Sequence, residues 1–449
     1  MNQWLTKAFG FQSGTHSVKT EIFAGITSFL TMAYILAVNP QIFKPLSVQG
    51  MAVDAVYTAT ALAAIVGTLI MALYAKKPFA LAPGMGLNAF FVFTICLGMG
   101  HTWQFALTAV LIEGFIFILL TIFNIRRLIL DAIPMSLKKS IGTGIGLFIA
   151  FLGLQNAGVI VHSDATLVSL GNITQGSALL ALIGIVLTAI LVHLKVNGAI
   201  LFGILGTALL GLLPIFPTAG ADGQTALTSL TVFNGVVATP PSVAPIFCKF
   251  QWTEVFTLDM LVAVFTLLFF DMFDTMGTLI GVATKANMLN EKGEMDDISK
   301  AFMADSIATI AGAMLGTNTT TTYMESASGV AVGGRTGLTA FTTAVCFAIA
   351  LFFAPIFLAI PTAATSAALV IVGLMMISPI SEVDLGDFSE SVPAFITCVT
   401  MPLACSISDG ILIGMIAYVL INACTGQWKK VKPSMWILAI LFILKYILL

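Results

Sequence analysis

Apolar stretches long enough to cross a bilayer follow one another along almost the whole chain, separated by short polar or charged turns. Read against that punctuation, the pattern predicts spans near 22–42, 55–75, 79–98, 103–123, 141–160, 176–194 and 197–214. A second set follows near 256–283, 301–316, 318–334, 338–357, 361–378, 391–406 and 408–426. The expected fold is an all-α polytopic membrane protein of about fourteen transmembrane segments, arranged as two seven-span repeats. The division is a first repeat over 1–214, an extracellular linker over 215–254, a second repeat over 255–428 and a C-terminal tail over 429–449. An odd number of crossings per repeat inverts the second relative to the first. The stretch 126–142, basic and apolar around Pro134, reads as an interfacial helix, and the acidic loop 381–393 as its counterpart in the second half. The tail 434–448 is apolar but short.

Two of the predicted spans are interrupted. PFALAPGMGLNAFFVF (78–93) places Pro83, Gly84 and Gly86 just before Asn88, and GTNTTTTYMESASGVAVGG (316–334) places a threonine-rich run just before Glu325. Broken backbone at membrane depth persists only where it is buried in protein or lines a polar cavity. A matched pair of breaks, one per half, points to the substrate site of a secondary transporter.

Composition agrees with the pattern: of 449 residues 58% are hydrophobic and 9% charged, too few charges to cover a soluble surface. The basic residues also orient the chain. With the N-terminus in the cytoplasm, sixteen Lys and Arg fall on the cytoplasmic side, Lys76, Lys77, Arg126, Arg127 and Arg335 among them, and only Lys44 and Lys249 outside. This predicts a multi-pass protein of the cytoplasmic membrane with both termini inside. No cleavable leader pattern precedes the first span. The six cysteines lack CxxC spacing, so no metal or disulfide framework is expected; no cofactor and no nucleic-acid partner is implied either. No HExxH and no Ser/His pairing within spans supports an enzyme. The lipid bilayer is the expected partner, and a homodimer is compatible with the sequence without being required by it.

The candidate chemistry is a small set of intramembrane carboxylates: Asp271 and Asp274 in span 8, Asp305 near the start of span 9, and Glu325 after the second break. Asp271 and Asp274 share a helix face. Glu325 should stand where extended backbone yields to a half-helix, at a positive dipole end, with Asn88 in the corresponding place in the first half. Tyr34 to Asn88 and Asp271 to Glu325 are both 54 residues apart, a spacing consistent with repeated halves. An amide opposite a carboxylate makes a hydrogen-bonding pocket. Gly86, Asn88, Asp271, Asp274 and Glu325, with Tyr323 and Ser326 either side of Glu325, form the candidate binding set. Phe90, Phe91, Phe269, Phe270 and Phe273 could stack on a planar ligand, although most phenylalanines in such a chain face lipid or core. Acceptors beside aromatics suit a neutral planar heterocycle with N–H donors and suit an inorganic anion badly. A carboxylate in a low-dielectric cavity takes up a proton more readily than one in water. Glu325, Asp271 and Asp305 are therefore candidate proton carriers; residue types alone leave sodium as the alternative coupling ion.

These segments also carry a resemblance. EIFAGITSFLTMAYILAVNPQI, ALAPGMGLNAFF, FFDMFDTMGTLIGVATKA, MADS, TTTTYMESASGVAVGGRTGLTA and ESVPAFIT…MPLACSISDGI, spread over nearly the whole chain, resemble the nucleobase–cation symporter-2 family and, within it, the AzgA-like purine permeases. The resemblance implies a core domain of spans 1–4 and 8–11 and a gate domain of spans 5–7 and 12–14. It also implies short antiparallel strands in the breaks of spans 3 and 10, holding a purine. Gly86 and Asn88 match the family's third-span motif, Asp271 and Asp274 its eighth-span acids, Asp305 its ninth-span aspartate and Glu325 its tenth-span glutamate. Adenine-preferring bacterial members tend to carry Asn where this chain has Asp271, so the acid leans the reading towards hypoxanthine and guanine. The function expected is import of purine nucleobases by proton symport with alternating access. The alternatives are a sodium-coupled nucleobase symporter and an anion transporter or exchanger of the same fold.

Overall fold

The structure is a computed structural model that describes residues 2–448 except 13–14, 124–133, 165, 220–224, 233–234, 286–287, 289–294 and 296. Its helices follow the predicted spans closely. Span 1 is Val18–Met32 and Ile35–Phe43, jointed at Ala33–Tyr34; span 2 is Val53–Ile70, prolonged by a wider turn at Met71–Ala75. Spans 4 to 7 are Trp103–Ile122, Met135–Asn156, Gly176–His193 and Ala199–Gly211. In the second half, span 8 is Leu258–Lys285, span 9 Ile298–Leu315, span 11 Gly337–Ala350, span 12 Thr362–Ile377, span 13 Phe388–Leu403 and span 14 Ile407–Cys424. Among the described residues eight helices are both long and apolar enough to cross a membrane, with shorter apolar helices between them.

Spans 3 and 10 are the exceptions, as the breaks require. Span 3 begins as strand β1 (Leu81–Pro83) and turns into the helical stretch Met85–Ala89, which runs on through Phe90–Gly98. Strands β2 (Ile160–Ser163) and β3 (Leu167–Leu170) make a hairpin between spans 5 and 6, and β4 (Phe216–Ala219) and β5 (Thr225–Thr228) a second hairpin in the linker. Span 10 begins as β6 (Thr320–Thr322) and continues as the short helix Ser326–Ala331. β1 and β6 pair antiparallel, Leu81 opposite Thr322 and Pro83 opposite Thr320, so each half supplies the partner that the other half's broken backbone needs.

Two expectations need correction. The stretch 126–142 is not a separate interfacial helix throughout. From Met135 it is already span 5, whose entry Pro134 sets with extended backbone, and 124–133 lie outside the described residues. The apolar signal of that span was masked by Lys138 and Lys139 in its first turn. The loop 381–393 forms no linking helix either: a single turn, Ser378–Glu382, is followed by Asp387, which caps span 13. Its carboxylate accepts from the Ser389 N–H and hydroxyl, and these bonds, aided by Lys430, hold it below the usual carboxylate range. The tail is helical over Pro433–Leu448 and packs on span 14.

Packing sorts the helices. Spans 1, 2, 4, 9 and 11 pack on one another, with span 8 against span 4; spans 5, 6, 7, 12 and 13 pack among themselves, with span 14 on spans 5 and 13. Small residues permit the close approaches: spans 5 and 12 touch at Gly146 and Gly373, where a Cβ on Gly146 would lie 2.6 Å from the Gly373 carbonyl oxygen. The two halves are also tied by a buried carboxylate. Glu21 of span 1 accepts from the Arg335 and Thr336 N–H groups and the Thr339 hydroxyl (3.1, 3.2 and 2.5 Å), capping the start of span 11. Before span 4, His101 sits between Glu254 (3.2 Å) and Asp259 (3.1 Å) and stacks on Phe105, fastening the linker's end to the bundle.

Candidate functional site

The crossing of β1 and β6 is the structural centre of the site. Threonines favour extended backbone because their β-branch restricts χ1, and here their hydroxyls also satisfy polar groups that lipid cannot. Thr317 to Thr322 are all buried. Thr68 of span 2 brackets β1, its hydroxyl accepting from the Leu81 N–H at 2.9 Å and donating to the Leu81 carbonyl at 3.1 Å. The Ser326 hydroxyl accepts from the Ala80 N–H at 2.9 Å, and the Tyr323 N–H donates to the Ala80 carbonyl at 2.9 Å.

Asp305 serves this scaffold. One carboxylate oxygen accepts from the Thr322 N–H (3.0 Å) and hydroxyl (3.2 Å), the other from the Thr275 hydroxyl (3.1 Å). Thr275 stands one turn beyond Asp271, also donates to it at 3.0 Å, and lies 2.6 Å from the Thr321 hydroxyl. Asp271 and Asp305, candidate proton carriers from the sequence, are thus joined through one threonine and fully buried against the strands.

Asn88 and Glu325 stand just past the crossing, on the two half-helices. Asn88 is fully buried; its Nδ2 donates to the Pro83 carbonyl at 3.4 Å, and its Oδ1 has no hydrogen-bond partner among the described residues. The Tyr323 hydroxyl donates to the same Pro83 carbonyl at 2.6 Å, so Asn88 and the segment leading to Glu325 converge on one oxygen. Glu325 occupies the N-cap position of Ser326–Ala331 and accepts from the Tyr34 hydroxyl at 2.6 Å. Glu325 and Asp274 are only half-buried, and Asp274 lies within electrostatic reach of both Asp271 and Glu325. Gly86 is small by necessity: a Cβ there would sit 2.3 Å from the Phe270 ring and 2.7 Å from Ile145.

The aromatic candidates separate. Phe90 and Phe91 are fully buried in the bundle core, Phe91 against Phe43, and Phe269 packs on Phe265. Those three are packing residues. Phe270 and Tyr323 are buried in the same core but lie beside the breaks, and the Phe273 side chain lies outside the described residues. Sequence reading missed three participants. Tyr34 entered it only through its spacing and proves to touch Glu325. Thr275 is signalled by its place one turn after Asp271. Glu113, in the apolar run LIEGF, is a further intramembrane carboxylate, fully buried, that the four-acid set left out, and it accepts from Thr319 at 2.8 Å.

The comparisons with known proteins bear on this geometry. A family model described as "Permease family", for xanthine/uracil permeases, matches residues 19–413. The chain belongs to this family, the nucleobase–cation symporter-2 permeases. It is 42% identical to guanine/hypoxanthine permease PbuG of Bacillus subtilis, over 98% of this chain and 99% of that protein. It is 41% identical to adenine permease AdeP of Escherichia coli, over 99% of this chain and 96% of that one. Among solved structures it is similar to the transmembrane domain of the cyanobacterial bicarbonate transporter BicA, with a TM-score of 0.60 at 15% identity, covering 91% and 98% of the two chains. At that identity the likeness shows the fold alone, one of inverted repeats. The permease family is thus one of membrane transporters rather than enzymes.

Proposed function

We propose that this protein imports purine nucleobases across the cytoplasmic membrane by proton symport, with spans 1–4 and 8–11 acting as a core that moves against a gate of spans 5–7 and 12–14. The observation that carries the reading is the pairing, at one strand crossing, of a buried amide with an open acceptor (Asn88) and a half-buried carboxylate (Glu325). Ring N–H groups of a purine can answer both, and Phe270 and Tyr323 flank the same breaks. Carboxylates that gather at a site repel anions, which argues against the anion-transporter alternative despite the shared fold. The packing of the helices into two groups supports a core and a gate. Glu325, Asp271 and Asp305, set beside the strands, are the groups through which a proton can be linked to the substrate.

Hypoxanthine and guanine are the preferred substrates on this reading because position 271 carries an acid, with adenine as the competitor, since the relatives include permeases of both classes. The test is uptake of labelled hypoxanthine into cells expressing the protein, competed with guanine, adenine, xanthine and uracil. Guanine should compete fully and uracil poorly. A protonophore should abolish accumulation while removal of sodium leaves it intact; the reverse result replaces the proton with sodium. Uptake of sulfate or bicarbonate with no uptake of any purine would overturn the substrate class.

A further inference from the structure

Glu113 is a carboxylate in the middle of span 4 with no part in the reading above. It is fully buried, and a charge at such depth is expensive unless the surroundings require it. What it holds is the chain just before β6. The Thr319 hydroxyl donates to Glu113 Oε2 at 2.8 Å, and the Thr319 carbonyl accepts from the Gly84 N–H at 3.0 Å. The Gly84 carbonyl in turn accepts from the Asn88 N–H at 2.8 Å, closing the first turn of the half-helix on which Asn88 stands.

The chemistry of Pro83 makes this relay matter. Pro83 ends β1 and has no N–H to give, so the Gly84 N–H is the donor that fastens the end of β1 to the opposing strand. Gly84 is also the residue at which extended backbone turns into helix, with φ −68° and ψ 129°. If Thr319 shifts, its carbonyl moves away from Gly84, and the turn presenting the Asn88 amide loses its fixed end. A carboxyl group suits the post because its oxygens accept, and the Thr319 hydroxyl is a donor that reaches one of them at 2.8 Å.

We propose that Glu113 is a positioning residue of the transport site: it holds Thr319, and through the Thr319–Gly84–Asn88 relay it sets the Asn88 amide in place. The inference rests on the purine reading only for its transport readout. Thr319→Val removes the hydroxyl at nearly constant shape, and Thr319→Ser restores it. Glu113→Leu removes the acceptor, and Glu113→Gln restores a neutral one. Each full-length variant is purified, reconstituted and assayed for hypoxanthine uptake. Hydrogen exchange of the peptide over residues 81–90 is measured in parallel without substrate. Thr319→Val and Glu113→Leu should raise KM about tenfold with Vmax per transporter little changed, the effect of losing one buried hydrogen bond. Thr319→Ser and Glu113→Gln should recover most of that loss, and exchange over 81–90 should quicken only in the first pair.

Unchanged KM and unchanged exchange in Thr319→Val overturn the proposal, as does a loss confined to the amount of folded protein. Should Glu113→Leu fail to fold, the Thr319 pair decides alone. Should the wild type take up no purine, the substrate reading fails, and the exchange of 81–90 still decides the relay.

Discussion

Gly86→Ala tests the site geometry at its tightest point. The added methyl would lie 2.3 Å from Phe270 Cζ, 3.0 Å from Phe270 Cε1 and 2.7 Å from Ile145 Cγ2. Carbon atoms rest at about 3.5–4.0 Å, so each neighbour must retreat by roughly 1 Å. Neither has room: Phe270 is 2% and Ile145 1% exposed. Overpacking of that kind costs about 1–3 kcal/mol, which is about 5- to 150-fold if borne by the transport-competent state. The strain also has a direction, because Gly86 is where span 3 meets span 5 and span 8 at once. The expected outcome is a lower thermal unfolding temperature for the purified protein and a matching fall in purine uptake per transporter. Phe270→Leu removes the Cζ carbon, so the double variant should recover more than half of both losses. Ile145→Ala should relieve the second contact, whereas Ile145→Val, which keeps a methyl at Cγ2, should not. Wild-type stability and uptake in Gly86→Ala alone would refute the close approach and with it the position of Asn88 two residues on.

Three other perturbations follow from the same contacts. Glu325→Gln should abolish accumulation of purine against a gradient, read as steady-state uptake in energised cells; wild-type accumulation would remove Glu325 from the coupling site. Tyr34→Phe deletes the hydroxyl that donates to Glu325 at 2.6 Å while keeping the ring. A bond to a charged group contributes about 1.5–3 kcal/mol, so KM should rise about tenfold or more with little change in protein amount, and an unchanged KM would show that Tyr34 does not hold the carboxylate. Glu21→Ala should act on stability instead, since it strips the cap from span 11. The loss should be about 1–3 kcal/mol in thermal or chaotrope unfolding with KM unchanged, and unaltered stability would refute the cap.

How much of this could be read from the residues depends on which physical signal each feature sends. Spans announce themselves because lipid demands a long apolar run whatever the tertiary structure, and span 4, expected at 103–123, is Trp103–Ile122. Pro83 and the threonine run were equally legible as breaks, because they violate that demand locally. Span 5 was placed too late because Lys138 and Lys139 interrupt the apolar signal at its cytoplasmic end, where long side chains can reach the interface. The hairpins β2–β3 and β4–β5 are short, and β2–β3 is exposed in large part, so no apolar alternation marks it. Site residues were visible as titratable or amide groups in apolar surroundings, and Glu113 met the same criterion. What the chain could not disclose is partnership. Phe90 and Phe270 are the same residue type and both are buried in the core, yet only Phe270 presses on Gly86.

The division of labour among the polar groups follows from hydrogen-bond satisfaction. Inside a membrane every broken backbone unit must find a partner within the protein, and the two breaks find theirs largely in each other: β1 in β6, the Ala80 groups in Tyr323 and Ser326, the Gly84 N–H in Thr319. Asp305, Thr68, Thr275 and Glu113 are spent on holding that crossing and have their lone pairs or protons turned towards it. Asn88 and Glu325 differ. Asn88 keeps an acceptor open, and Glu325, tethered by one hydroxyl on one oxygen, keeps partial exposure. A ligand that binds here must therefore meet open hydrogen-bond capacity on the two half-helices that leave the crossing. Because that frame is drawn from both halves of the chain, the site exists only when the inverted repeats are interlocked.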